Sequence, residues 1–301
     1  MVKGWMWLAS VCIYILLVVL SLMSESFLWV WVSMELSIMF GLAILFLSGV
    51  KVSSVMEYYI YQSSSSLMLF IGWMVDVSWI ISVSLIMKLG LFPFQTYLIK
   101  VIGELMGFMY FVILLIQKLV PLYLIFVLYM NSSVHEGILV VSAVMGVVVG
   151  CLGGLSVGSF SGMLAYSSLI HSSWLTLIVM MSSSMFLYYL FMYSMSLALV
   201  TMFWSSLGAS VMNWVVLMIV SGFPPLLGFF LKVGMLFYGV VCFPSLYMVM
   251  MVMSAVSFLF YIRLMVIYFM SGDVDGGLIE NSSFWLACIV SVASLVGFGV
   301  I

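Results

Sequence analysis

Long apolar stretches fill the chain, separated by single charges, Gly/Pro clusters or short polar runs. A helix needs about 20 apolar residues to cross the hydrocarbon of a bilayer. Cutting at those interruptions predicts eleven spans: about 5–23, 27–49, 57–75, 77–99, 106–130, 137–155, 159–181, 185–206, 213–241, 245–270 and 283–301. The loops between them are short, and the longest polar one covers 271–282. The expected fold is therefore all-α: a polytopic membrane protein forming one integral-membrane domain over residues 1–301. No small-residue cleavage site follows the first apolar run, so that run is expected to stay as a helix.

Two spans break the pattern. The fourth, 77–99, contains Lys88-Leu89-Gly90-Leu91-Phe92-Pro93. The ninth, 213–241, contains Ser221-Gly222-Phe223-Pro224-Pro225-Leu226-Leu227-Gly228, followed by Lys232. Gly and Pro near mid-span interrupt the helical hydrogen-bond ladder. In a membrane such a break survives only buried in protein or beside a wet cavity. Two discontinuous helices five spans apart suggest an internal repeat of the transporter type.

Loop charges set the expected orientation. Lys3, Lys51 and Lys100 fall on the N-terminal side, and Arg263 reaches the same side from the end of the tenth span. The opposite loops carry Glu25, Asp76, His135 and Glu136 but no Lys or Arg. The N-terminus is expected on the cytoplasmic or matrix side and the C-terminus on the other.

Composition narrows the classes. Only 5% of the 301 residues are charged and 67% are apolar. A soluble domain runs near 25% and 45–50%, so a soluble enzyme and a secreted module are excluded. A net charge of −2 offers no basic field for nucleic acid. The four cysteines form no CxxC pair, so no metal or redox site is expected from them. The two histidines are too few for haem or copper ligation within the membrane. The Met and Trp excess matches the habits of mitochondrial genomes and is a hint about compartment.

Four charges lie well inside spans: Glu35, Lys88, Lys118 and Lys232. Each costs roughly 2.5–3.5 kcal/mol to place there, so four cost on the order of 10–14 kcal/mol. That rivals the net stability of a whole domain, roughly 5–15 kcal/mol. Two readings offset it. The charges are either Glu–Lys pairs that lock helices, or stations on a proton path along the membrane midplane. Three lysines to one glutamate favours the path. Moving a carboxylate towards or away from a buried lysine would switch it between holding and releasing a proton. His171, also mid-span, is either a relay or a packing residue. Gln117 and the Ser63–Ser66 run are expected to bond helices together. Gly150, Gly153 and Gly154 are expected at a close helix contact.

Six stretches, in order, carry a family resemblance: VWVSMELSIM after Trp29, EYYIYQSSSSLML from Glu57, MKLGLFPF from Met87, QKLVP from Gln117, LAYSSLIHSSW ending at Trp174, and GFPPLLGFFLK from Gly222. They resemble the antiporter-like, proton-translocating family of subunit 2 of mitochondrial NADH:ubiquinone oxidoreductase, respiratory complex I. The resemblance spans about residues 27–270. It implies that Glu35, Lys88, Lys118 and Lys232, with His171, form a proton-transfer axis. It implies that NADH, FMN, the iron–sulfur clusters and ubiquinone belong to the wider complex, with no cofactor or metal in this chain. The implied partners are other membrane-arm subunits and bilayer lipid, cardiolipin among them. The implied location is the mitochondrial inner membrane, with the N-terminus in the matrix and the C-terminus in the intermembrane space.

The chain departs from the family pattern at four places. Glu57 stands where a basic residue is usual. Gln95 stands where His commonly follows the first break. Ile99-Lys100 replaces Pro-Glu, and Ser161-Gly162 replaces basic residues. The rival readings are a sister antiporter-like subunit of the chain 4 or 5 type, and a structural membrane subunit whose charges only lock helices.

Overall fold

A computed structural model describes residues 2–105, 107–131, 133–204, 232 and 244–270. The described residues are helical, with no strand among them. α1 runs Val2–Met23, α2 Phe27–Leu47 and α3 Val52–Met74. α4 (Ser78–Leu89) and α5 (Thr96–Glu104) are the two halves of the broken fourth span. α6 covers Met109–Met130 and contains a π-helical turn at Val112–Ile116. α7 runs Glu136–Ser156, α8 Phe160–Val179, α9 Ser183–Trp204 and α10 Pro244–Met270.

Seven of the described helices are long and apolar enough to cross a membrane by length and composition. α3 has 23 residues, but Gln62 and the serine run dilute its apolar character. α4 has only 12, because the break cuts its span short. The predicted spans 213–241 and 283–301, with the second expected break, lie outside the described residues apart from Lys232.

Two boundaries differ from the sequence expectation, and one contact explains both. α3 starts at Val52, ahead of the predicted 57, and α5 runs on to Glu104, past the predicted 99. A helix start leaves backbone N–H groups without partners, and a carboxylate there is favourable. Glu104 Oε2 accepts the Lys51 backbone N–H at 2.8 Å. Lys51 Nζ lies 3.4 Å from Glu104 Oε1. The end of α5 thus caps the start of α3, which no local pattern reveals.

The chain divides into two compact units. The first comprises Met1–Gly146 and Ser172–Met180; the second comprises Val147–His171 and Met181–Ile301. In the first, α1 packs on α2, α2 on α3, and α3 on both halves of the broken helix. Tyr14, Met34, Ile38, Tyr58, Leu85 and Val120 are buried within it. In the second, the glycine-rich face of α7 makes the close contacts expected of it. A Cβ at Gly150 would lie 3.3 Å from the Tyr166 carbonyl oxygen of α8, and one at Gly153 would strike the Tyr166 ring. A Cβ at Gly154 would lie 2.8 Å from the Phe260 ring of α10. Leu8, Leu16, Leu28, Ile60 and Leu187 are exposed, as suits an apolar solvent.

Candidate functional site

The site in the first unit is built around the break between α4 and α5. A helix that stops leaves its last carbonyls without donors. Here Gly90, at φ +65°, turns the chain. Leu91 N–H donates to the Ile86 carbonyl at 3.1 Å, and Gly90 N–H to Met87 at 3.2 Å, closing the end of α4. The Tyr97 hydroxyl donates to the Met87 carbonyl at 2.9 Å and lies 3.3 Å from that of Lys88. Gln62 Nε2 donates to the Lys88 carbonyl and to the Tyr97 oxygen, both at 3.1 Å. Neutral side chains therefore satisfy the broken end.

Lys88 sits in the last turn of α4, 4% exposed. Its ammonium lies 3.7 Å from Met34 Sδ. Glu35, the next residue on α2, is half-buried and interacts with Lys88 through space. Glu35 makes no ion pair with Lys88, and Glu35 Oε1 is buried with no hydrogen-bond partner. Lys88, Met34, Ser37, Tyr14, Tyr58 and Gln117 line a cavity of about 20 Å³, enough for one water.

Lys118 is 4% exposed and follows Gln117 in α6. The π turn Val112–Ile116 precedes them, and Pro121 follows inside the helix. π turns within α-helices often occur at functional sites. Gln117 Oε1 is buried without a hydrogen-bond partner. The Ser63–Ser66 hydroxyls donate to carbonyls of their own helix, those of Ile60, Tyr61, Gln62 and Ser63, and the Ser64 hydroxyl also lies 3.5 Å from Met87 Sδ of α4, the cross-helix contact expected of this run. The bond joining α2 to α3 in this region runs from Trp31 Nε1 to the Ser66 carbonyl at 3.0 Å.

The second unit holds His171 and Lys232. His171 is 7% exposed, on α8. Its Nδ1 lies 2.8 Å from the Tyr189 hydroxyl, and its ring centre lies 4.7 Å from that of Tyr193. Lys232 Nζ donates to the Ser254 carbonyl of α10 at 3.4 Å and interacts with Cys151. Cys151 Sγ lies 3.0 Å from the Met253 carbonyl. Arg263 donates to the Leu155 carbonyl at the end of α7, where a cation is favoured. His135 is exposed in a loop, as expected, its backbone N–H held by Ser82 Oγ at 2.8 Å.

Sequence reasoning missed Gln62, Tyr97 and Met34 around Lys88, and the Tyr189–Tyr193 pair around His171. Gln62 carried a usable signal, as one of three glutamines in the chain. The departures at 57 and 100 turn out to face each other. Lys100 Nζ lies 2.7 Å from both Glu57 oxygens. Gln95 Oε1 is buried with no hydrogen-bond partner. Ser161 and Gly162 open α8, where the Gly162 N–H lies 3.4 Å from Ser159 Oγ.

Among solved structures, the chain is similar to one from the membrane-bound sulfane sulfur reductase, an archaeal respiratory membrane complex. The TM-score is 0.73 at 15% identity, covering 90% of this chain and 69% of that one. No family model matches the chain. The fold is thus that of an all-α, multi-pass membrane protein, shared with a chain of that archaeal complex. Curated relatives are more specific. The chain is 28% identical over 295 residues to NADH-ubiquinone oxidoreductase chain 2 of Mytilus edulis, covering 92% of this chain and 91% of that protein. It is 25% identical over 269 residues to the same chain of Albinaria caerulea, covering 84% and 86%, and 26% identical over 260 residues to that of Oryzorictes hova, covering 74% of each. The chain is a homologue of NADH-ubiquinone oxidoreductase chain 2.

Proposed function

We propose that this chain is a proton-translocating membrane-arm subunit of an NADH:quinone oxidoreductase, working as a single antiporter-like membrane domain. NADH oxidation, with its flavin and iron–sulfur centres, and quinone reduction take place in other subunits, and this chain carries no redox centre. It spans the mitochondrial inner membrane with its N-terminus in the matrix and its C-terminus in the intermembrane space. Its neighbours are other membrane-arm subunits, with cardiolipin among the lipids that border it. Glu35, Lys88, Lys118, His171 and Lys232 are the proton stations. The homology to chain 2 proteins supports the assignment. The observation that carries the chemistry is Lys88. It is buried at a helix break, its ammonium meets a thioether and a water-sized cavity, and Glu35 acts on it without pairing.

The test is Lys118→Met and Lys88→Met in the native complex, in sealed inner-membrane vesicles. The expected result is normal assembly on a native gel with NADH-driven acidification cut about a hundredfold or more, the scale of losing one proton-transfer group. Loss of assembly with both variants would support the helix-locking reading instead. Normal pumping in both would remove these lysines from the path.

A further inference from the structure

We infer that Gln117 positions the water that takes the proton from Lys88; this rests on the proton-translocating reading above. Three features converge on this one residue. The π turn ending at Ile116 displaces the hydrogen-bond register just before it. Pro121, four residues on, has no N–H to give the Gln117 carbonyl. The side-chain Oε1 is buried and accepts no hydrogen bond. A buried amide oxygen left without a donor is costly, and such groups in native proteins are usually served by ordered water.

The cavity meets that need. At about 20 Å³ it exceeds the roughly 10–15 Å³ that one water requires. Its polar lining is complementary. Lys88 and Gln117 are both lining residues: the first carries N–H donors, and the second an amide whose Oε1 can accept. The Ser37 hydroxyl donates to the Met34 carbonyl at 2.7 Å, which leaves its oxygen lone pairs to accept. A water there accepts from the Lys88 ammonium and donates to Gln117 Oε1 and to Ser37 Oγ. In the transfer step an N–H bond of the ammonium breaks and an O–H bond forms on the water. The amine becomes neutral, and the hydronium is held by the two acceptors. Gln117 adjoins Lys118 in the chain, so the acceptor that fixes this water sits one residue from the next station. Gln117 is a positioning residue, not a proton carrier, because its amide stays neutral throughout.

The experiment uses the intact complex in sealed vesicles with Gln117→Met, Gln117→Asn and Lys88→Met. Met matches the length of Gln and lacks a strong acceptor; Asn keeps the acceptor on a shorter stem. The expected result for Gln117→Met is native assembly, an NADH-driven proton flux lowered about tenfold, the value of one lost hydrogen bond, an unchanged KM for NADH, and a larger solvent deuterium isotope effect on flux. Gln117→Asn should recover part of the flux. Normal flux and isotope effect in Gln117→Met, with Lys88→Met impaired, would overturn this inference alone. Normal flux in Lys88→Met as well would overturn the proton-path reading with it. If Gln117→Met does not assemble, a cryo-EM map of the wild-type complex that resolves waters decides. A water within about 3.2 Å of both Gln117 Oε1 and Lys88 Nζ supports the inference, and a protein group filling that position refutes it.

Discussion

Gly90 is where the broken helix can be tested most directly, because three glycines separate the contributions. Gly90 has φ +65°, and a Cβ there would meet the Leu98 side chain of α5 and lie 3.2 Å from the Tyr97 hydroxyl. Gly49 has φ +82° with nothing within 4 Å of an added Cβ. Gly103, in α5, has neither a positive φ nor a neighbour within 4 Å. Ala in the left-handed region costs about 1–2 kcal/mol, and crowding a packed contact adds about 1–3 kcal/mol. Gly90→Ala therefore costs about 2–5 kcal/mol and Gly49→Ala about 1–2 kcal/mol. Gly103→Ala is neutral or gains up to about 1 kcal/mol of helix propensity. Thermal inactivation of a membrane complex is a rate, so the assay is the half-life of NADH-driven proton flux at fixed temperature. Gly90→Ala is expected to shorten it at least about tenfold, Gly49→Ala less, and Gly103→Ala not at all. Flux before heating should also fall in Gly90→Ala alone, because the displaced Tyr97 holds the carbonyls next to Lys88. A Gly90→Ala complex no worse than Gly49→Ala would refute the claim that the close approach of α5 defines the break.

Tyr97→Phe leaves the Met87 carbonyl without its side-chain donor and should destabilise the assembled subunit by about 1–3 kcal/mol, read as faster detergent-driven dissociation. Glu57→Lys or Lys100→Glu alone should cost at most about 1 kcal/mol, since both side chains are about half exposed. The double exchange should recover that loss, and raised salt should shrink all three effects. Desolvation pushes the Glu104 carboxyl up, but hydrogen bonds from the Lys51 N–H and from Ser54, with the Lys51 ammonium, outweigh it and hold the carboxyl below its ordinary value. A lowered carboxylate contributes stability above its ordinary pKa and loses it as pH falls through the folded value. The stability gap between wild type and Glu104→Gln should therefore be full at neutral pH and close on acidification, as measured by thermal inactivation across pH.

Apolar run length located nine of the eleven predicted spans among the described residues, because bilayer thickness imposes one length on every span. The first break was equally legible, since Gly90 and Pro93 cannot continue a helix. Lys88 and Glu35 stood out because a charge inside an apolar run is costly in a membrane. What stayed hidden was non-local. Nothing near Lys51 in sequence indicates that Glu104 caps its helix. Gln62 and the serine run look alike as polar residues in one helix. The serines reach their own backbone three residues back, Ser64 also touching Met87 Sδ, while the longer Gln62 side chain reaches the Lys88 carbonyl at the end of α4. Read separately, Glu57 and Lys100 are two departures from a family pattern; in space they are one ion pair with its charges exchanged.

That division bears on which of the two readings of the buried charges is right. A locking pair needs ammonium and carboxylate in contact, with the remaining donors and acceptors satisfied. The contacts of that kind between α3 and α5, Lys51–Glu104 and Lys100–Glu57, lie at an exposed end of the first unit, where their partners are cheaply solvated. At the buried break the structural demand comes from the last carbonyls of α4, and Tyr97 at Met87 and Gln62 at Lys88 meet it as neutral donors beside the Gly90 N–H. Lys88 is thus not needed to close the helix end, and its contact with Met34 Sδ is to a weak acceptor. A methionine at 88 would fill much the same volume and leave those carbonyl contacts in place. The burial of a costly ammonium beside a water-sized cavity therefore fits the proposed proton station better than a helix lock.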